Sequence, residues 1–361
     1  MKKILVVFTG GTIGSRLTGA TIDVDQAVSR MILNGFEKAF PGETELDAVQ
    51  PMNVLSENFT PKHWKIISDC IYEKKDCGYD GVIVTHGSDT IPYTSAYLSY
   101  VFSQSQIPIV LTCSNYVLDH PKSNGQQNFN NSVLLITRNS LRGIFSVFRD
   151  DKGKNVVFLG TRMEEANPYN DQFTTCGGIE FGEIKDGKFL PVTHPTNPAP
   201  EELVPDGTKK IEADCLSEFK NEIFAVKAYP GLNYTNFCFG PKTKAVLCSL
   251  YHSSSNCVGT NEYSLTEFIG RCAAKNIDVY LMSFKNTGGE HYLTTKTIME
   301  AGGIPLVNIS FEAAYVKLNL AYNHFVVNFF CHEGFWVCLA YNQYKTDPKT
   351  FMTKEIYNEV L

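Results

Sequence analysis

Short continuous apolar runs, separated by amphipathic stretches, organise the first half of the chain. The first run, Ile4–Phe8, ends in a glycine turn. Thr60-Pro61 suits a helix N-cap followed by the first helical position, and Trp64, Ile67, Cys70 and Ile71 then recur as one helical stripe. Gly81–Val84 predicts a second strand, followed by a polar turn and a helical pattern through Tyr100. Ile107–Leu111 and Val156–Leu159 predict two more strands. Apolar runs without alternation, set between helices, imply a mostly parallel sheet covered by helices on both faces.

A proline-rich polar stretch from Pro191 to Lys210 interrupts this rhythm and reads as a linker. Beyond it Ile223–Tyr229, Ala245–Tyr251 and Asp278–Phe284 predict strands, and Ser264-Leu265-Thr266-Glu267 is a capping box opening a helix between the last two. The expected organisation is α/β throughout: a larger N-terminal domain over residues 1–190, a linker over 191–212, and a smaller C-terminal α/β domain over 213–361. The aromatic and apolar tail after Asn323 is expected to pack on the second domain or on a partner subunit.

Composition narrows the class. With 361 residues, 43% hydrophobic and 19% charged, the chain can bury a sizeable core. The formal net charge of −6 argues against a general nucleic-acid partner. No apolar run approaches the ~18 residues of a membrane span, and the apolar stretch after Lys2-Lys3 is too short for a signal core. A cytoplasmic protein is expected. The eleven cysteines are odd in number, contain no CxxC pair, and include Cys113, Cys248 and Cys272 inside apolar runs. They read as reduced, buried small hydrophobes rather than a disulfide framework. Cys331 and His332 adjoin but lack a second pair at zinc spacing, so no metal site is expected.

Ligands of open parallel sheets bind at the carboxyl ends of the strands, and two turns there carry hydroxyls. Thr9-Gly10-Gly11-Thr12-Ile13-Gly14 follows the first strand. Its glycines permit close backbone approach and its N–H groups can face an oxyanion. The turn lacks the P-loop lysine and the dinucleotide spacing. Thr12 sets a potential nucleophile there; the plainer reading is a glycine turn with a capping threonine. Thr85-His86-Gly87-Ser88-Asp89-Thr90 follows the second strand and places a hydroxyl beside a carboxylate. Here the plainer reading is a helix N-cap at Ser88 or Asp89. Two such turns at one sheet edge suit an acyl-transfer pocket.

TGGTIG and GVIVTHGSDT together resemble the bacterial-type L-asparaginase family, closest to its cytoplasmic branch. The similarity extends through Ser123-Asn124-Gly125-Gln126-Gln127-Asn128, Ala228-Tyr229-Pro230-Gly231 and Tyr292 to Gly302, covering Lys3 to about Tyr322. The resemblance implies hydrolysis of the asparagine side-chain amide through a covalent acyl-enzyme, with no metal or organic cofactor. It implies a homodimer or homotetramer whose pocket combines the N-domain of one subunit with the C-domain of another. Thr12 matches the primary nucleophile, and Gly11 beside it is counted among the substrate-binding residues. Ser88 stands for the second catalytic threonine and Asp89 for its neighbouring aspartate. Ser56 and Glu57 match residues that hold the α-carboxylate and α-amino groups, and Asn256 matches an amide near the pocket.

Three departures stand against that pattern. Aligning Gly160-Thr161-Arg162-Met163-Glu164-Glu165-Ala166 places Glu165 where the family has an activating lysine. An anion there reverses the field at Asp89 and tends to raise its pKa. Glu165 could act as a base, or Arg162, Lys152 or Lys154 could supply the charge. The segment from Ser15 to Asp25 contains no tyrosine where the family carries one on a loop; Thr21 lies near that place. Ser253-Ser254-Ser255-Asn256 replaces a glycine-rich turn. The leading expectation is an L-asparaginase. The alternatives are hydrolysis of glutamine or a modified asparagine, a role like that of the archaeal transfer-RNA amidotransferase subunit, and a catalytically silent amino-acid binder.

Overall fold

A computed structural model describes residues 1–18, 21–24, 26–204, 218–285, 290–323, 330–332, 335–337 and 347–360, without the side chains of 15–27 and 324–346. The chain divides into two compact units, Met1–Leu216 with Ile356–Asn358, and Ser217–Glu355 with Glu359–Leu361.

In the first unit β1 (Lys2–Phe8) is followed by a hairpin of β2 (Ser15–Thr18) and β3 (Thr21–Val24), helix α1 (Gln26–Ala39) and β4 (Thr44–Val49). Then come α2 (Pro61–Glu73), β5 (Gly81–Thr85), α3 (Ile91–Val101), β6 (Pro108–Thr112), α4 (Gly125–Arg138) and β7 (Gly143–Arg149). β8 (Asn155–Leu159), the short pair β9 (Met163–Glu164) and β10 (Thr174–Thr175), and the hairpin β11 (Gly182–Lys185) and β12 (Lys188–Pro191) complete it. The eight-stranded sheet has the order β12-β11-β8-β7-β6-β5-β1-β4. Its heart, β7-β6-β5-β1-β4, is parallel, in keeping with strands such as Ile4–Phe8 and Gly81–Thr85 that are buried along their length.

The strand expected at Val156–Leu159 is present, but it runs antiparallel to β7 and so does not extend the parallel set. Five residues separate Arg149 from Asn155, too few for a parallel crossover. The turn between them is fixed by Asp150, whose Oδ1 accepts from the N–H groups of Lys152 at 3.0 Å and Lys154 at 2.7 Å. Within the parallel set two strands lack a clear sequence signal: β4, a half-exposed edge strand, and β7 itself.

α2 begins at Pro61 with Thr60 as N-cap, and the Thr60 N–H donates to His63 Nδ1 at 2.9 Å. Residues 192–204 lie against the first unit, where Asn197 Nδ2 donates to the carbonyls of Glu180 and Val192, both at 2.9 Å. Residues 205–217, including the rest of the expected linker, lie outside the described residues.

The second unit is a four-stranded parallel sheet of β13 (Glu222–Lys227), β14 (Thr243–Ser249), β15 (Asp278–Phe284) and β16 (Ile304–Val307). α5 (Leu265–Ala273) opens as expected, with Ser264 Oγ accepting from the Glu267 N–H at 3.3 Å. Val246, Leu281, Phe268 and Ile298, the last on α6 (Leu293–Glu300), form its core. α7 (Phe311–Tyr322) is capped by Ser310, and α8 (Pro348–Thr353) by Asp347. The buried ammonium of Lys317 pairs with Glu359 at 2.7 Å. Of the tail, the side chains of 324–346, Cys331 and His332 among them, lie outside what is described, while Ile356–Asn358 belong with the first unit. Cys113, Cys248 and Cys272 are buried. Among the described residues no helix is long and apolar enough to cross a membrane.

Candidate active site

The strand order places β1 between β4 on one side and β5 on the other. The connection after β1 therefore runs to β4 and the one after β5 runs the opposite way to β6, and a crevice opens at the carboxyl ends of β1 and β5 by topology alone. Both hydroxyl-bearing turns emerge there. Thr12 stands in the single 3-10 turn Thr12–Gly14 after β1 and is half-buried. Ser88 and Asp89 stand in the turn after β5.

Three segments meet at this crevice through their backbones. Gly10 and Gly11 both lie in the left-handed region, at φ +106° and +74°. A Cβ on Gly10 would stand 2.5 Å from the Val54 carbonyl oxygen, and one on Gly11 would stand 2.4 Å from Gly87 Cα. A Cβ on Gly87 would lie 2.3 Å from Ser56 Oγ. Only glycine fits these approaches, because any side chain would meet backbone or a buried serine. The Gly11 N–H donates to Val54 O at 3.2 Å and the Val54 N–H donates to Thr9 O at 2.9 Å. With its N–H held by Val54, Gly11 serves the crevice by conformation and close contact, and an oxyanion would draw on other N–H groups.

The plainer reading of the second turn, an N-cap at Ser88 or Asp89, does not describe it. The cap of α3 is Thr90, and its Oγ1 donates across to the Ser56 carbonyl at 3.0 Å rather than to its own helix. Ser88 and Asp89 thus precede the helix. Ser56 is buried and its Oγ lies 3.5 Å from Asp89 Oδ2. Glu57 is exposed beside it.

His86 is fully buried, with Phe59 edge-on to its ring at 4.5 Å. Its Nδ1 lies 2.9 Å from the Gly87 carbonyl, which can only accept, so Nδ1 carries the proton. Thr94 Oγ1 then donates to Nε2 at 2.9 Å. Burial lowers the imidazole pKa to about 4, against a weaker opposing effect of the Gly87 bond. A neutral ring with both nitrogens occupied is a brace for the turn, not a base.

The electrostatics centre on Asp89. Burial raises its carboxyl pKa above the ordinary value, the Glu57 carboxylate adds to this, the Ser56 hydroxyl acts the other way, and Glu165 raises it again. Glu165 follows β9 and accepts from Tyr93 Oη at 2.5 Å, Tyr93 lying in the first turn of α3. Tyr93 is a member of this neighbourhood that sequence reasoning does not single out; its place two residues into α3, after Ile91 and Pro92, is the available signal. Two of the expected substitutes for the family lysine are engaged elsewhere. Buried Arg162 donates from Nε to Asn358 O at 2.6 Å and from Nη1 to Thr196 O at 2.5 Å, and Lys154 pairs with Glu180. Lys152 is exposed, its backbone N–H donating to Asp150. The side chain of Thr21 lies outside what is described.

Asn256 belongs to the second unit. Its Nδ2 donates to Tyr234 Oη at 2.8 Å and its Oδ1 accepts from the Cys257 N–H at 2.7 Å. Beside it, Ser254 adopts φ +60°, a left-handed conformation that favours glycine. Its hydroxyl donates to Ser283 O at 2.7 Å, and Thr295 Oγ1 donates to its carbonyl at 2.9 Å. The serine turn thus keeps a glycine-like backbone and is held there by side chains.

Known proteins share this fold. The family profile described as Asparaginase, N-terminal, matches residues 3–190, more than half of the chain. A glutamyl-tRNA(Gln) amidotransferase subunit from Methanococcus vannielii is 25% identical over 338 residues, spanning 88% of this chain and 74% of the relative. The protein of the same name from Pyrococcus abyssi is 26% identical over 337 residues, spanning 90% and 73%. The thermostable L-asparaginase from Thermococcus kodakarensis shares the fold with a TM-score of 0.76 over 99% of both chains at 22% identity. L-asparaginase I from Vibrio cholerae does so with a TM-score of 0.75 over 100% of this chain and 99% of that one, at 20% identity. By the profile match over the unit that bears both turns, the chain belongs to the asparaginase family.

Proposed function

We propose that this amidohydrolase-family protein is an L-asparaginase, converting L-asparagine and water to L-aspartate and ammonia. The observation that carries the reading is the contact of Gly11 with Gly87, which brings the Thr12 and Ser88–Asp89 turns to one crevice. Thr12 Oγ attacks the amide carbon while its proton passes toward the leaving nitrogen. The C–N bond breaks, ammonia departs, and an ester on Thr12 remains. Water then attacks that ester and restores the hydroxyl. Backbone N–H groups of the glycine turn other than that of Gly11 meet the oxyanion. Glu57 and Asp89 face the substrate ammonium, Ser56 hydrogen-bonds its α-carboxylate, and Ser88 assists proton transfer. Glu165 occupies the place of the family lysine, and Asn256 approaches the pocket of a second copy in a homodimer or homotetramer. The chain works in the cytoplasm without metal or organic cofactor.

The test is ammonia release from L-asparagine, L-glutamine and D-asparagine by wild type, Thr12→Ala and Ser88→Ala. Release from L-asparagine, with both variants reduced by roughly 10³-fold or more, supports the reading. A wild type silent on all three overturns it, and calorimetric binding without release then identifies an amino-acid binder.

A second reading is favoured by the two archaeal relatives, both named for a glutamyl-tRNA(Gln) amidotransferase: an amide-hydrolysing subunit that passes ammonia to a transfer-RNA-bound acceptor. Glutamine as the preferred amide, with release that depends on an added partner and charged RNA, distinguishes it.

A further inference from the structure

We propose that Tyr357 and Asn358 are positioning residues that hold the Gly160–Arg162 turn and thereby set the Glu165 carboxylate against Tyr93 at the start of α3. Tyr357 is buried against the start of β7, where the Ile144 N–H donates to its Oη at 2.8 Å. The ring fits because residue 143 is glycine: a Cβ there would stand 2.0 Å from Tyr357 Oη, and the backbone sits at φ +114°. From this anchorage two main-chain carbonyls face the turn after β8. Tyr357 O accepts from Thr161 Oγ1 at 2.9 Å, and Asn358 O accepts from Arg162 Nε at 2.6 Å.

The other side of the turn is fixed by the first unit's own body. The Gly160 N–H donates to Ile144 O at 3.1 Å, and a Cβ on Gly160 would lie 2.2 Å from Ser99 Oγ on α3. The Cys176 N–H donates to Arg162 O at 2.8 Å, which carries the hold into the β9–β10 pair. Glu165 comes directly after β9 and is met by Tyr93 Oη. A buried arginine used to grip backbone carbonyls, three residues before a carboxylate at the crevice, fits a device that fixes a loop. Surface packing needs no such grip. The anchoring stands on these contacts alone; what it serves, the setting of Glu165 for amide hydrolysis, rests on the amidohydrolase reading.

The test uses Thr161→Val, Tyr357→Phe and their double variant in the full chain, with Glu165→Gln for comparison. Thr161→Val preserves shape and removes one bond, so it remains informative should Tyr357→Phe fail to fold. Hydrogen exchange at residues 160–166 is expected to rise several-fold while exchange at 81–90 stays unchanged. The pH profile of kcat/KM for ammonia release is expected to move toward that of Glu165→Gln, and adding Glu165→Gln to the double variant is expected to shift it little further. Asp89 is the group read by that profile, and Glu57, Glu165 and Ser56 are the groups that act on it. Unchanged exchange, exchange rising equally at 81–90, or a profile that stays with wild type overturns the proposal. If wild type releases no ammonia from any amide, the asparaginase reading fails, and the exchange measurement decides the anchoring by itself.

Discussion

Gly11 and Gly87 touch backbone to backbone, and a Cβ on Gly11 would stand 2.4 Å from both the Cα and the nitrogen of Gly87. The two turns that carry the candidate chemistry are thereby brought closer than any side chain allows. Gly11→Ala is expected to cost about 1–3 kcal/mol of stability through overpacking, with further strain from φ +74°. Gly87→Ala is expected to act similarly by displacing Ser56. Urea denaturation reads both, and ammonia release is expected to fall in each by more than the loss of folded protein explains.

Asp89 and Glu165 make a pH prediction. A carboxyl whose folded pKa is raised resists ionisation in the native state, so its contribution to stability falls as pH climbs from the ordinary carboxylate value to the raised one. Glu165→Gln removes one of the causes. The Asp89 titration is expected to move to lower pH, and the acid limb of kcat/KM with it. Carboxyl chemical shifts followed against pH check the first, and rate profiles the second. An unmoved Asp89 titration would show that Glu165 exerts no field there.

His86 acts in the opposite direction. Its pKa falls from 6.5 to about 4 on folding, so the unfolded chain takes up a proton that the native ring refuses. Stability is expected to decline as pH drops from about 6.5 to about 4, by on the order of 3 kcal/mol in all. Nitrogen chemical shifts are expected to show protonated Nδ1 and unprotonated Nε2 at neutral pH. A ring that titrates near 6.5 in the native protein would refute the brace and make His86 a candidate base.

In the second unit, Lys317 and Glu359 form an ion pair whose side chains are 1% and 0% exposed. Glu359→Gln leaves a buried ammonium facing a neutral amide and is expected to cost roughly 3–5 kcal/mol. Lys317→Met with Glu359→Leu is expected to cost less than the two single changes together. Thermal and urea melts of wild type, Lys317→Met, Glu359→Leu and their double variant measure the coupling.

Sequence patterns are most readable where burial is complete. Gly81–Val84 and Asp278–Phe284 announce strands because their runs face packing and carry few polar compromises. Thr44–Val49 gives no such signal because it lies at the sheet edge, where Glu45 and Asp47 answer Lys3 rather than the core. The direction of Val156–Leu159 depends on recognising Gly143–Arg149, whose single Ser146 is satisfied by Ser95 at 2.9 Å and so leaves no local sign. At the crevice, TGGTIG and THGSDT locate the turns. The Thr90 hydroxyl turning toward Ser56, the Tyr93–Glu165 bond and the grip of Arg162 on Asn358 all depend on partners 34, 72 and 196 residues away, beyond any local pattern.

The central placement of β1 also has a meaning in time. Synthesis delivers the glycine turn ahead of the surfaces that shape it, at Val54, Ser56 and Gly87, which arrive only as β4 and β5 are completed. Pairings of such sequence separation form slowly. A nascent chain therefore carries Thr12 in an unshaped turn until the middle of the first unit has left the ribosome. The crevice then arises together with the sheet that confines it.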